Sequence, residues 1–120
     1  MSYAAIILDN YLEAIESEEK GELYNAAKFY KWASNAFNDA DIPDWSREIG
    51  EMGLEAGYKY DELVGRIARK RHKEEKKLIK ATNKILKKKG EEKVSVLSFY
   101  QIVKEIESMI EADIRMNLLL

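Results

Sequence analysis

A chain of 120 residues, 46% apolar and 35% charged, carries 20 Lys and Arg against 22 Asp and Glu, for a net charge of −2. That length and apolar content suit one domain with a real core. Cys is absent, which excludes disulfides, thiol catalysis and Cys-ligated zinc or iron–sulfur centres and fits a cytoplasmic setting; Lys and Glu dominate and Gln occurs once, a thermophile-like balance.

The periodicity is helical and no stretch alternates as a strand, so the expected class is all-α with about five helices in antiparallel hairpins. The first helix is expected from Ser2 to Glu18. Ala4, Leu8, Tyr11, Leu12 and Ile15 recur at helical spacing, and Ser2 is placed to cap it. Gly21 marks the turn. The second helix is expected from Glu22 to Asn38, with Leu23, Ala26, Ala27, Tyr30, Ala33, Ala36 and Phe37 on its apolar face. The segment Asp39–Pro43 reads as a loop around the only proline.

A third helix is expected from Asp44, as N-cap, to Gly57 as stop. Gly50 and Gly53 weaken it by roughly 1 kcal/mol each relative to Ala and point to close helix approach. A long fourth helix is expected from Asp61 to Lys89, ended by Gly90, with Leu63, Val64, Ile67, Ala68, Leu78, Ile79, Thr82, Ile85 and Leu86 on one side. Arg69–Lys77 has no apolar residue and is expected outside the core. The fifth helix is expected from Val96 to Leu118 after Ser95, its stripe formed by Phe99, Ile102, Val103, Ile106, Ile110 and Ile114. One domain results, with an acidic part over residues 1–65 and a basic helix plus a C-terminal helix over 66–120.

Charge is the sharpest feature. Residues 66–89 hold twelve Lys and Arg against Glu74 and Glu75, a net of +10, whereas residues 1–65 carry −9 and residues 90–120 carry −3. Arg66, Arg69, Lys70, Lys73, Lys76, Lys77, Lys80 and Lys84 recur at i+3 and i+4 and form one stripe, the expected surface for an anion or an acidic partner. A stripe roughly 30 Å long can track a phosphate backbone. It lacks the interleaved aromatics that stack on single strands, and without Trp or Phe it does not suit membrane insertion. Its alternatives are a solvated face, or docking on the acidic half of the same or a neighbouring chain.

The stretch Gly21-Glu22-Leu23-Tyr24-Asn25-Ala26-Ala27-Lys28-Phe29-Tyr30-Lys31-Trp32-Ala33 resembles the second helix of a tetratricopeptide repeat, with Gly21, Ala26, Tyr30 and Ala33 near the family's spacing and Ala14 as the small residue of a first helix. A second unit starts 36 residues later at Gly57, close to the family's period of about 34. It departs at Glu62 and Arg66, and the family's Trp-x-x-Leu-Gly opening is missing before Gly21. The Ala-Ala-x-x-Tyr pattern is also similar to the soluble NSF attachment proteins. The resemblance covers about residues 5–68 and implies stacked hairpins that bind protein. A generic antiparallel bundle is the alternative, and a three-helix domain similar to the microtubule-interacting-and-transport type is another.

Catalytic motifs are absent. His72 is the only histidine and sits among cations with no ligand set around it. Glu48, Glu51 and Glu55 share a helix face without the Glu-x-x-His partners of a di-metal bundle. No Gly-rich phosphate loop, nucleophile elbow or triad appears. Tyr24, Tyr30, Tyr58 and Tyr60 read as packing residues before groove residues. The expectation is therefore a non-enzymatic helical interaction module with a protein partner, no cofactor and no metal; the alternative is a nucleic-acid-associated protein using the basic helix. No leader, lipid anchor or membrane span is expected. The apolar run Ala4–Leu8 and the terminal Leu118, Leu119 and Leu120 predict self-association, most simply a homodimer.

Overall fold

The computed structural model describes residues 2–119, with side chains through Asn117. Within these residues the regular structure is wholly helical: α1 (Tyr3–Glu19), α2 (Leu23–Asp39), α3 (Arg47–Lys88) and α4 (Phe99–Leu119). Ser2 caps α1, its side chain accepting from the Ala5 N–H at 3.1 Å. Gly21, at φ +77°, closes α1. Its N–H donates to Glu18 O while that of Glu22 donates to Ser17 O, which satisfies the orphan carbonyls of the last turn. Gly90, at φ +74°, ends α3 the same way, its N–H bonding Lys87 O and that of Glu91 bonding Leu86 O.

The five expected helices become four, because the expected third and fourth are one. α3 runs unbroken for 42 residues through Gly57, where a stop was expected. The cause is tertiary. Gly57, Gly53 and Gly50 lie where a neighbour crowds α3. A Cβ on Gly53 would meet Phe37 Cβ at 2.7 Å, one on Gly57 would meet Ser34 Oγ at 3.3 Å, and one on Gly50 would meet Trp45 Nε1 at 2.7 Å. These glycines serve close approach inside a helix and do not end it. Asp44 is likewise not the N-cap of this helix. Ser46 is, accepting from the Ile49 N–H, while Asp44 accepts from the Ala4 N–H in the first turn of α1. The last helix starts three residues later than expected. Ser98, not Ser95, caps it in a reciprocal box, Ser98 Oγ accepting from Gln101 N and Gln101 Oε1 accepting from Ser98 N.

α1, α2 and the first half of α3 pack antiparallel, and α4 crosses the other side of α3 to reach α2; α1 and α4 do not touch. The seam with α2 is built from small residues. Ala14, Ala26, Ala27, Ala33 and Ala56 are fully buried, and Tyr30, Tyr60, Leu63 and Val64 fill the space that the closely spaced backbones leave. The α4 side is sealed by Ile102, Ile106, Ile110 and Ile114, all buried. Tyr30 donates to Glu18 at 2.8 Å, and Lys59 binds the same carboxylate at 2.9 Å, tying α1, α2 and α3 at one point. Three of the four singled-out tyrosines are thus packing groups; Tyr58 stays exposed.

The molecule measures 63 × 28 × 22 Å, with a radius of gyration of 18.5 Å, against about 14 Å for a compact chain of this length. The long axis is set by α3, whose 42 residues reach about 63 Å at 1.5 Å per residue.

A basic arm as the candidate site

Ala68 is the last buried residue of α3, and from Lys76 to Lys88 every position is exposed or half-exposed. The hairpin turn at Gly21 and Tyr24 of α2 sit beside Ile67, Lys70, Arg71 and Glu74, so the α1–α2 hairpin gives out there. The rest of α3 projects as an arm. The expectation that Arg69–Lys77 lies outside the core holds, with Lys73 and Lys77 both exposed. Two apolar positions depart from expectation. Leu78 and Ile85, assigned to the core-facing side, are 66% and 56% exposed, because the elements that cover this face nearer the body do not extend so far.

At the root of the arm, Arg71 donates from Nε to Glu75 at 3.0 Å and from Nη2 to Glu105 of α4. These two bonds hold its guanidinium firmly protonated, raising its pKa, and burial opposes them weakly. Arg71 is therefore a strut between α3 and α4, and its position around the helix places it off the stripe. His72 leans edge-on against Phe99, ring centres 6.3 Å apart. It helps seat the start of α4, which its polar sequence context did not suggest. Among the described residues no group of three His, Cys, Asp or Glu side chains is placed to hold a metal.

Arg66, Arg69, Lys70, Lys73, Lys76, Lys77, Lys80 and Lys84 are all exposed. Among the described residues none of the eight lies within 4.0 Å of a carboxylate. The opposite-charge pair Arg71–Glu75 forms, but Lys70–Glu74 does not. Docking of the stripe on the acidic half of its own chain is thus not what the fold does. The eight side chains bring donors without acceptors to one side of a rod. Like charges at i,i+4 cost a few tenths of a kcal/mol per pair at low salt, a cost that salt screens.

The structure adds a cation that sequence spacing could not find. The 91–98 segment folds back along the arm and is clasped by Asn83, whose Nδ2 donates to Val94 O at 3.1 Å and whose Oδ1 accepts from Val94 N at 2.8 Å. The clasp brings Lys93 beside Lys76, Lys80, Lys84 and Lys87, where with Asn83 and Val96 they line an open cleft of about 430 Å³. The one available signal was an Asn on an otherwise cationic helix face, followed by a Gly stop and a short return. Nearer the body, a smaller cleft of about 280 Å³ lies over Gly53 and Gly57 between α2 and α3, edged by Lys31, Asn38 and Asp61. Its mixed charge and shallow lining assemble no nucleophile–base pair.

The fold and the arm define a class: an all-α body with a projecting cationic helix. Among the described residues no helix is long and apolar enough to cross a membrane. Comparison of the chain with protein-family models, with curated proteins and with solved structures gives no match.

Proposed function

We propose that this protein is a non-enzymatic helical interaction module that grips an anionic macromolecule with its arm. One observation carries the reading: a run of exposed cations on a helix beyond the packed core, without a carboxylate partner among the described residues. An acidic protein surface is the first choice of partner. Leu78 and Ile85 stand exposed beside the stripe, and a protein can cover such groups whereas a phosphate backbone cannot. The body then serves as scaffold, and its α1–α2 hairpin, with Ala26, Ala27 and Ala33 at the seam, supports the likeness to a single tetratricopeptide unit. A second reading, a nucleic-acid backbone, is favoured by the five-lysine cleft, whose spacing along the rod suits successive phosphates. The protein also self-associates in this reading; the part expected of Leu118, Leu119 and Leu120 lies outside the residues with described side chains.

Retention on heparin, duplex DNA, RNA and an acidic protein column at graded salt tests the reading. Replacing Arg69, Lys73, Lys77 and Lys80 together by Gln should abolish retention and leave helix content intact. If the partner is duplex DNA, the logarithm of the affinity should fall against the logarithm of salt with a slope near 0.9 per phosphate contacted. A wild-type protein that ignores every one of these anions at low salt would sink the proposal.

A further inference from the structure

Leu78, Ala81 and Ile85 stand at i, i+3 and i+7 on α3 and fall within roughly 60° of one another around the helix. Traced back into the body, the same sector holds Ala56, Tyr60 and Leu63, all buried. Between body and arm the sector holds half-buried Ile67 and exposed Glu74, so the face is a core face that resumes past the end of the core, with Leu78, Ala81 and Ile85 left in solvent. Lys77, Lys84 and Lys88 flank it on one side and Lys89 on the other, all exposed.

A counterpart of opposite charge lies on α1. Ala5, Leu8 and Leu12 repeat the i, i+3, i+7 spacing on α1, Leu12 exposed and Ala5 and Leu8 half-exposed, and α1 makes no contact with α4 among the described residues. Leu12 is 54% exposed. Asp9, Glu13, Glu16 and Glu19 surround it, exposed, and of these only Glu16 has an ion pair among the described residues, to Lys20 at 3.0 Å. Both stripes are about two turns long. With the helices parallel Ala81 comes opposite Leu8; antiparallel, it comes opposite Asp9, one residue or about 1.5 Å from Leu8. One copy cannot join its own two faces, because the arm points away from the body along the long axis.

We propose that the Leu78–Ala81–Ile85 face of the arm docks on the Ala5–Leu8–Leu12 face of α1 of a second copy, so that copies join head to tail. The inference rests on reading the arm as a docking element and names its partner. Arm against arm is disfavoured, because it would bring lysines against lysines. The contact is heterologous, leaving one arm and one α1 face free in every complex. Association then runs past two copies until the chain closes into a ring or extends. Attraction between the flanking charges makes it salt-sensitive, since the Debye length shrinks from about 10 Å at 0.1 M to about 3 Å at 1 M.

Sedimentation velocity over a concentration series tests this with two variants of the full chain. Leu78→Gln with Ile85→Gln silences the arm face without changing its charge, and Leu12→Lys with Glu16→Lys silences α1. All four positions are exposed, and circular dichroism checks that both variants fold. The expected result is stepwise association of the wild type at low salt, weakened roughly 100-fold in each variant alone, as loss of central contacts implies. An equal mixture of the two variants should form a complex that stops at two copies, because only one arm and one α1 face remain. A wild type that stays monomeric at every concentration overturns the proposal, as does a mixture that fails to recombine, the result expected of an arm-on-arm contact. Heparin retention of the Leu78→Gln, Ile85→Gln variant separates the two readings. If it binds like wild type while the wild type does not self-associate, the second-copy partner fails and the anion-gripping arm stands; if neither self-association nor anion binding is seen, both fail.

Discussion

At Gly53 a methyl group would enter the ring and Cβ of Phe37, so Gly53→Ala loses more to crowding than it gains in helix propensity. A net loss of up to about 2 kcal/mol is expected, from an overpacking cost of about 1–3 kcal/mol against a propensity gain near 1 kcal/mol. Gly65 has the opposite sign. Its added Cβ would meet only Arg69 Nη1 at 3.4 Å, the movable end of a side chain. Gly65→Ala should therefore stabilise by roughly 0.5–1 kcal/mol. Urea denaturation of both variants decides the signs. Glu18 makes the pH-dependent link in the body. Burial works to raise its pKa, but the hydrogen bonds from Lys59 and Tyr30 outweigh it and hold the carboxyl below its ordinary value of 4.5. A depressed carboxyl contributes stability above its unfolded pKa and loses it as pH falls through the folded one. Wild type should thus lose its advantage over Glu18→Gln below about pH 4.5 in acid titrations of stability. At the alkaline end, Tyr24 is pushed up to about 12, first by burial and then by donating to Asp113. Its bridge between α2 and α4 is fully present below pH 10, and stability should fall between pH 10 and 12, less so in Tyr24→Phe.

Along an element, α3 changes character near its midpoint. Residues Gly53 to Ala68 are anchored in the core, whereas Lys76–Lys88 is held only by its own hydrogen bonds, the Gly90 stop and the Asn83 clasp. Native-state hydrogen exchange should show strong protection for amides of 56–68 and markedly faster exchange for 76–88. Uniform protection along the whole helix would mean that something covers the arm, and its dependence on protein concentration would say whether that is a second copy. α4 depends on its start. Ser98→Ala removes one half of the reciprocal cap with Gln101 and should cost about 0.5–2 kcal/mol, read from thermal or urea unfolding.

For the whole molecule, shape and charge act together. A rod of 63 Å with acidic and basic ends carries a large dipole, which steers encounters with charged partners and fades with salt. Small-angle scattering of the dispersed chain at high salt should return a radius of gyration near 18.5 Å. A value near the 14 Å expected of a compact chain would show the arm folded back on the body. At low salt the apparent radius should rise with concentration if copies join head to tail.

The helical class, the α1 and α2 spans within a residue, the Ser2 cap, the Gly90 stop and the placement of Arg69–Lys77 outside the core were legible in the sequence, because each rests on local periodicity or on residues adjacent in the chain. The eight stripe cations were legible as a stripe for the same reason. What tertiary structure decided was everything that depends on a neighbour. Gly57 reads as a stop in isolation, yet beside Ser34 it is a contact point inside a 42-residue helix. Asp44 has the chemistry of a cap but serves α1 across 40 residues of chain. The start of α4 is the exception, since Gln101 three residues after Ser98 is a local signal that sets Ser98 apart from Ser95 in the sequence itself. Leu78 and Ile85 carry the same pattern as the buried Leu63. Only the length of the α1–α2 hairpin, a property of a different part of the chain, determines that one stretch of this face is core and the next is surface.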